Sequence, residues 1–149
     1  MRAVVQRVKE ATVSVDNKII GAIQAGLLVF LGIAADDSRK DLEYLVDKIV
    51  NLRIFADAEG KMNLSALELG KEILLISQFT LLGDCRKGRR PNYTAAAAPE
   101  KAKELYLAFL EALEETGLKI ASGEFQAMME IESINDGPVT ILLDSKKEF

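Results

Sequence analysis

Apolar residues along this chain follow two periodicities, broken by one continuous block. Met1 to Val8 and Ala11 to Val15 are rich in β-branched residues, Asp16-Asn17 is a turn pair, and Lys18 to Ile23 resumes the pattern. Residues 1–24 therefore predict strands joined by tight connections. Leu27 to Ala34 (LLVFLGIA) is an unbroken apolar run between Gly26 and Asp36. Such a run predicts a central strand covered on both faces. Asp36-Asp37-Ser38 then supplies helix-capping side chains, and Leu42, Leu45, Val46, Ile49 and Leu52 fall on one stripe, predicting an amphipathic helix. After an Ala58-Glu59-Gly60 turn, Lys71 to Leu82 predicts a second apolar strand. Pro99-Glu100 opens a second helix, with Ala102, Leu105, Tyr106, Phe109, Leu110 and Leu113 at helical spacing until Gly117. Glu124 to Ser133 alternates as a strand does, Asn135-Asp136-Gly137-Pro138 predicts a turn, and Val139 to Leu143 predicts a last strand. The order is strands, helix, strand, helix, strands. It predicts an α/β fold, a layered β/β/α domain with two long helices on one side.

Composition narrows the chemistry. At 149 residues, 49% hydrophobic and 28% charged, the chain reads as a single domain spanning residues 1–149. It has no His and one Cys, so no imidazole base, Ser-His-Asp triad, Cys-His pair or His/Cys metal site is available. Any metal would have to be held by carboxylates, and no metal or cofactor is expected. The lone Cys85 forbids an internal disulfide, which fits a reducing cytosol. The longest apolar run, Ala25 to Ala35, is about half of the ~20 residues a membrane span requires. Met1 to Arg7 has no signal-peptide core. Together these predict a soluble cytoplasmic protein without membrane association. With 19 basic against 23 acidic residues the net charge is −4, so any site for nucleic acid must be local.

Three segments carry candidate chemistry. Ser77-Gln78-Phe79-Thr80 puts polar side chains at the end of a strand otherwise made of Ile and Leu. Strand alternation predicts Gln78 and Thr80 on one face, and Ser77 and Phe79 on the other. These are either substrate-handling groups or ordinary strand-end hydroxyls, and no His is present to activate one as a nucleophile. Gly137-Pro138 is either a plain turn or a rigid presentation of backbone carbonyls, in cis, to a ligand. Arg7, near the end of the first strand, is the candidate cation to hold those carbonyls. Arg86, Lys87, Arg89 and Arg90 place four cations within five residues, followed by Pro91-Asn92-Tyr93. They form either a solvated loop or a phosphate-contacting one.

Ser77-Gln78-Phe79-Thr80-Leu81 and Gly137-Pro138-Val139-Thr140 resemble the two signature motifs of the D-aminoacyl-tRNA deacylase family. Met1 to Val8, Gly60-Lys61-Met62-Asn63-Leu64-Ser65 and Arg90-Pro91 to Ala102 agree in colinear order. The resemblance implies layered sheets with helices against one face. It also implies a homodimer with active sites at the subunit interface, where each cis Gly-Pro pair reaches into the partner's pocket. It implies that Ser77, Gln78, Phe79 and Thr80 line the pocket for the 3′-terminal aminoacyl-adenosine of tRNA, with Phe125 and Met129 near the adenosine. Gln126 and Met128 depart from the family's commoner Gly and Asp, and Asn92-Tyr93 replaces the commoner Ser-Phe. The implied reaction is hydrolysis of a D-aminoacyl ester, and of the achiral glycyl ester. Thr80 serves in it either as nucleophile or, with backbone N–H groups, as an orienting group while the ribose 2′-hydroxyl assists. The competing classes are a non-catalytic RNA-binding module built on the Arg86 to Arg90 loop and an editing hydrolase for L-aminoacyl-tRNA.

Overall fold

The computed structural model describes residues 1–149 and begins with a 14-residue strand, β1 (Arg2–Val15). Asp16 and Asn17 both take positive φ, 50° and 61°, the backbone of a two-residue hairpin turn, and lead into β2 (Lys18–Ile23). β3 (Gly26–Gly32) continues almost in line with β2. One edge of β1 is thus paired by β3 along residues 2–8 and by β2 along residues 11–15. Next come α1 (Arg39–Asn51), a small hairpin of β4 (Phe55–Ala56) and β5 (Met62–Leu64), and the one-turn helix α2 (Ala66–Leu69). β6 (Glu72–Ser77) lies parallel to β3. After α3 (Pro99–Glu114), β7 (Ile120–Ser122) adds to β6, and β8 (Glu130–Asp144) returns along the other edge of β1.

The sheet order β2-β1-β3-β6-β7, with β8 beside β1, curls until β2 packs against β7. Strand alternation divides the apolar residues between two cores. Leu27, Val29, Leu31, Ile73 and Leu75 face α1 and α3, meeting Leu42, Leu45, Ile49, Tyr106, Phe109 and Leu113. Leu28, Leu74 and Ile76 point the other way, into the curl, with Val8, Ala11, Val13 and Ile23. β3 is therefore buried on both faces, and the two long helices share one side, as the hydrophobic pattern predicts.

Elsewhere the pattern misleads. The predicted strand over 71–82 stops at Ser77, and Phe79–Leu82 forms a 3-10 turn. The turn buries Leu82 and leaves Phe79 and Thr80 exposed, a sorting that strand alternation cannot produce. Glu124 to Met129 is irregular and the strand begins only at Glu130. Asn135 to Pro138 does not reverse the chain. Gln6 pairs with Thr140 and Val8 with Asn135, so residues 136–139 bulge from a single strand opposite Arg7 alone. The ladder with β1 on either side outweighs four turn-forming residues.

A polar network fastens the start of α1 to both ends of the chain. Asp41 accepts from the N–H and hydroxyl of Ser38 at 2.9 and 2.8 Å, completing a capping box. Its other oxygen accepts from Ser145 Oγ at 2.7 Å and lies 3.1 Å from Lys146 Nζ. Asp37 pairs with the Met1 ammonium at 2.5 Å. Burial favours the neutral form of Asp41, but the bonds from Ser145, Ser38 and Lys146 outweigh it and hold the carboxyl well below the usual carboxylate range. A lowered pKa gives stability that is present above the unfolded value near 4 and lost as pH falls toward the folded one. Asp41→Asn is expected to cost about 2–4 kcal/mol at pH 7. Urea denaturation should show the gap to wild type narrowing below about pH 4.

Candidate active site

Where β6 ends, the Gln78 N–H donates to Leu31 O at 2.7 Å and the chain turns over the end of β3. That close passage needs Gly32, because a Cβ there would sit 2.6 Å from Leu82 Cδ2 and 3.0 Å from Gln78 O. The first hydrogen bond of the turn, Leu81 N–H to Gln78 O, is 3.3 Å, so the N–H groups of Phe79 and Thr80 precede the turn's own bonds. Gln78 and Thr80 do come together, through a hydrogen bond from Gln78 Nε2 to Thr80 Oγ1 rather than through strand alternation. Phe79 packs edge-on against Tyr93, with ring centroids 5.2 Å apart.

A cavity of about 570 Å³ opens beside this turn. Ser77, Gln78 and Phe79 line it from one segment, and Phe125, Gln126, Met128 and Met129 from another. Behind Phe125 stands Tyr106, ring to ring at 5.6 Å. The Tyr106 hydroxyl donates to Leu75 O at 3.0 Å, and burial pushes its pKa up to about 12. Phe125 is thereby braced by a fixed, neutral phenol. The remaining space is left by Ala96, Ala97 and Ala102, small side chains beside Pro99 at the start of α3. Ala35 N–H to Ala95 O and Ala97 N–H to Ile33 O, 3.0 and 2.9 Å, tie this segment to the end of β3. The run Ala95 to Ala98 is the sequence signal for these lining residues, and it carries no chemistry by which to recognise them.

Thr80 is exposed and does not line the cavity, although its hydrogen-bond partner Gln78 does. An amide is not a base in either orientation, so nothing bonded to Thr80 removes its proton. The polar end of the cavity offers hydroxyl, amide and N–H groups that can orient an ester or stabilise an oxyanion.

Gly137 and Pro138 stand apart, on the bulge of β8, and neither lines the cavity of its own chain. Their peptide bond is cis, and Gly137 has φ 120°, a conformation suited to glycine. A Cβ at Gly137 would lie 2.9 Å from Arg7 Nη2, so Arg7 is adjacent as expected. Its guanidinium, however, donates to Ile54 O rather than to the Gly137 or Pro138 carbonyls, and lies 3.1 Å from Asp136 Oδ2 without forming a hydrogen bond at Nε. Asp136, a neighbouring carboxylate, and Ile54 O together hold the cation.

The segment Arg86 to Arg90 is an exposed loop whose base is closed by reciprocal backbone bonds between Asp84 and Asn92, 2.8 and 2.9 Å. Arg86 is bound within the loop by Asp84, at 2.9 and 2.7 Å, and its guanidinium holds the Asp84 carboxyl down at about 2. Lys87, Arg89 and Arg90 have no acidic partner, so three of the four cations are available.

The family model for D-Tyr-tRNA(Tyr) deacylase matches residues 4–144. The D-aminoacyl-tRNA deacylase of Halothermothrix orenii is 65% identical over 149 residues, all of both chains. That of Thermotoga petrophila is 58% identical, again over both full lengths. Among solved structures, the c-Myc DNA unwinding element binding protein superposes with a TM-score of 0.91 at 45% identity, covering 97% of this chain and 98% of that one. A probable eukaryotic D-amino acid tRNA deacylase superposes at 0.83 with 19% identity, covering 95% and 97%, a likeness of fold. The match takes in both β6 with its turn and the bulge of β8, and the chain belongs to the D-Tyr-tRNA(Tyr) deacylase family.

Proposed function

We propose that this protein hydrolyses the ester joining a D-amino acid to the terminal ribose of tRNA, releasing free D-amino acid and tRNA as translation quality control in the cytoplasm. The observation that carries the reading is an apolar cavity, of a size that holds a small ligand, ending at the Ser77 hydroxyl and the Gln78 amide, to which Thr80 is hydrogen-bonded, with no base among them. An aminoacyl ester of ribose is already activated by its neighbouring 2′-hydroxyl, so positioning and oxyanion hydrogen bonds suffice. Thr80 and the adjacent N–H groups orient water and the developing oxyanion, and the 2′-hydroxyl assists. Membership of the family and the names of the full-length relatives support the same reaction.

The working unit is a homodimer. Gly137 and Pro138 are absent from the cavity of their own chain, so to act there they must come from a second copy. The outer edge of β8 pairs with nothing, and the strand carries exposed Ile134 and Leu142, the kind of edge that another chain covers. In the partner's cavity the Gly-Pro carbonyls hold the substrate's α-amino group. An L side chain then points into main chain and a D side chain points out, so D-aminoacyl and achiral glycyl esters pass while L esters are rejected. Lys87, Arg89 and Arg90 contact tRNA phosphates beside the Phe79–Tyr93 pair.

Incubation with paired D- and L-tyrosyl-tRNA should show the D ester lost at least about 100-fold faster. Gly137→Ala should remove at least about 100-fold of D-ester turnover while the molecule remains a folded dimer by size-exclusion chromatography. A monomer with full D-selectivity would overturn the gauge. Thr80→Ala is expected to slow turnover by about 10- to 100-fold, and a tRNA ending in 2′-deoxyadenosine to be hurt more. An acyl-Thr80 ester trapped by mass spectrometry would make Thr80 the nucleophile instead. Replacing Lys87, Arg89 and Arg90 together by Ala should weaken tRNA binding and reduce the slope of log Kd against log salt by about 2, whereas Arg86→Ala changes it little. An unchanged slope in the triple variant returns the loop to simple solvation.

A further inference from the structure

Glu124 to Ala127 is a tight turn, closed by Ala127 N–H to Glu124 O at 3.2 Å, and its third residue, Gln126, has φ 66°. Positive φ at that position belongs to the type II turn, where glycine is the ordinary occupant and a side chain adds strain. The other non-glycine residues at positive φ are Asp16 and Asn17 in the first hairpin and Lys147 near the end of the chain. Gln126 alone among them lines the cavity. Gln126 is exposed, its amide free of any hydrogen bond within the protein, and beside it Met128 is 91% exposed on the same rim. A side chain held at positive φ on the rim, with its amide free of the protein, is placed to meet whatever the cavity holds.

The rest of the lining says which part of a ligand. Apart from Ser77, Gln78 and Gln126, every side chain on the cavity is apolar, including Ile76, Ala97, Phe125 and Met129. Such walls stack a base without reading it. Gln126 carries the one polar side chain there, and a primary amide offers a donor and an acceptor side by side, the complement of the N6 amino group and N7 of adenine.

We propose that Gln126 is a specificity-determining residue, whose amide pairs with the adenine edge of the terminal adenosine while Phe125 and Met129 cover its faces. This inference rests on the aminoacyl-tRNA reading above. The strain of positive φ is retained because the amide is used in substrate recognition.

The test uses D-tyrosyl-tRNA ending in adenosine and the same tRNA ending in purine riboside, which lacks the 6-amino group. Wild type should prefer adenosine by about tenfold in kcat/KM, mostly through KM. Gln126→Gly should lose that preference and raise Tm, because the turn is relieved of its side chain. Gln126→Ala should lose the preference without raising Tm, which separates amide from backbone. If either variant keeps the wild-type preference for adenosine, Gln126 does not read the base and the inference fails on its own. If wild type leaves D-tyrosyl-tRNA intact, the underlying reading fails instead.

Discussion

β1 has both edges hydrogen-bonded along nearly all of its 14 residues, and the rest of the molecule is referenced to that doubly paired strand. On one side it aligns β2 and β3, and β3 in turn sets β6, whose last residue is Ser77. On the other it holds β8. The ladder to β8 shifts at two neighbouring points, opposite Arg7, where residues 136–139 are expelled, and at Lys9, which is left without a partner between Val8–Asn135 and Glu10–Ile134. One strand therefore fixes the height at which the polar turn ends and the height at which the cis Gly137-Pro138 peptide leaves the sheet. Because unpaired buried backbone groups are costly, the register on either side resists slipping, and the bulge remains opposite the same residue.

The cavity depends on the same frame in a less direct way. Its polar rim can lie against β3 only because residue 32 is glycine, and its apolar side is open because alanines occupy the segment laced to the end of that strand. Tyr106 then couples cavity and core: its ring packs on Phe125 and its hydroxyl is committed to Leu75 O on β6. The proposed reaction relies on placement, and the groups that would supply it are main chain held in a sheet and side chains braced by a buried phenol.

Those features that burial alone decides are legible in the sequence. β3, α1 and α3 have apolar patterns that only one secondary structure satisfies, and the Ser38–Asp41 cap follows from side-chain chemistry three residues apart. The segment 77–82 is not legible in this way, because its apolar residues fit a strand as well as a 3-10 turn, and the choice is made by Leu82 packing over Gly32. Asn135 to Pro138 is misread for the opposite reason: every residue favours a turn, but long-range pairing with β1 keeps the strand running. β7 is three residues long and has no periodicity to find. Within the site, Ser77, Gln78 and Phe79 are chemically conspicuous and Phe125 and Met129 stand out only through the family resemblance, and all five line one cavity, whereas Ala96 and Ala97 matter only for the volume they leave empty.

Arg7 shows how a correct neighbour can be assigned the wrong contact. Sequence places a cation on the strand facing the Gly-Pro pair, and electrostatics then suggests the nearest carbonyls as its partners. The fold supplies competitors invisible to that reasoning: Ile54 O, brought in by the connection after α1, and the Asp136 carboxylate next to Gly137. With an anion and a carbonyl already engaged, the guanidinium stiffens the base of the bulge and makes no hydrogen bond to the Gly137 or Pro138 carbonyl. Acceptors not engaged by Arg7, on an exposed bulge, are what the proposed gauge requires, since a carbonyl already bonded to Arg7 would have less to offer an incoming ammonium group. The contact that departs from expectation therefore favours the bulge as a donor of acceptor groups to a neighbouring chain.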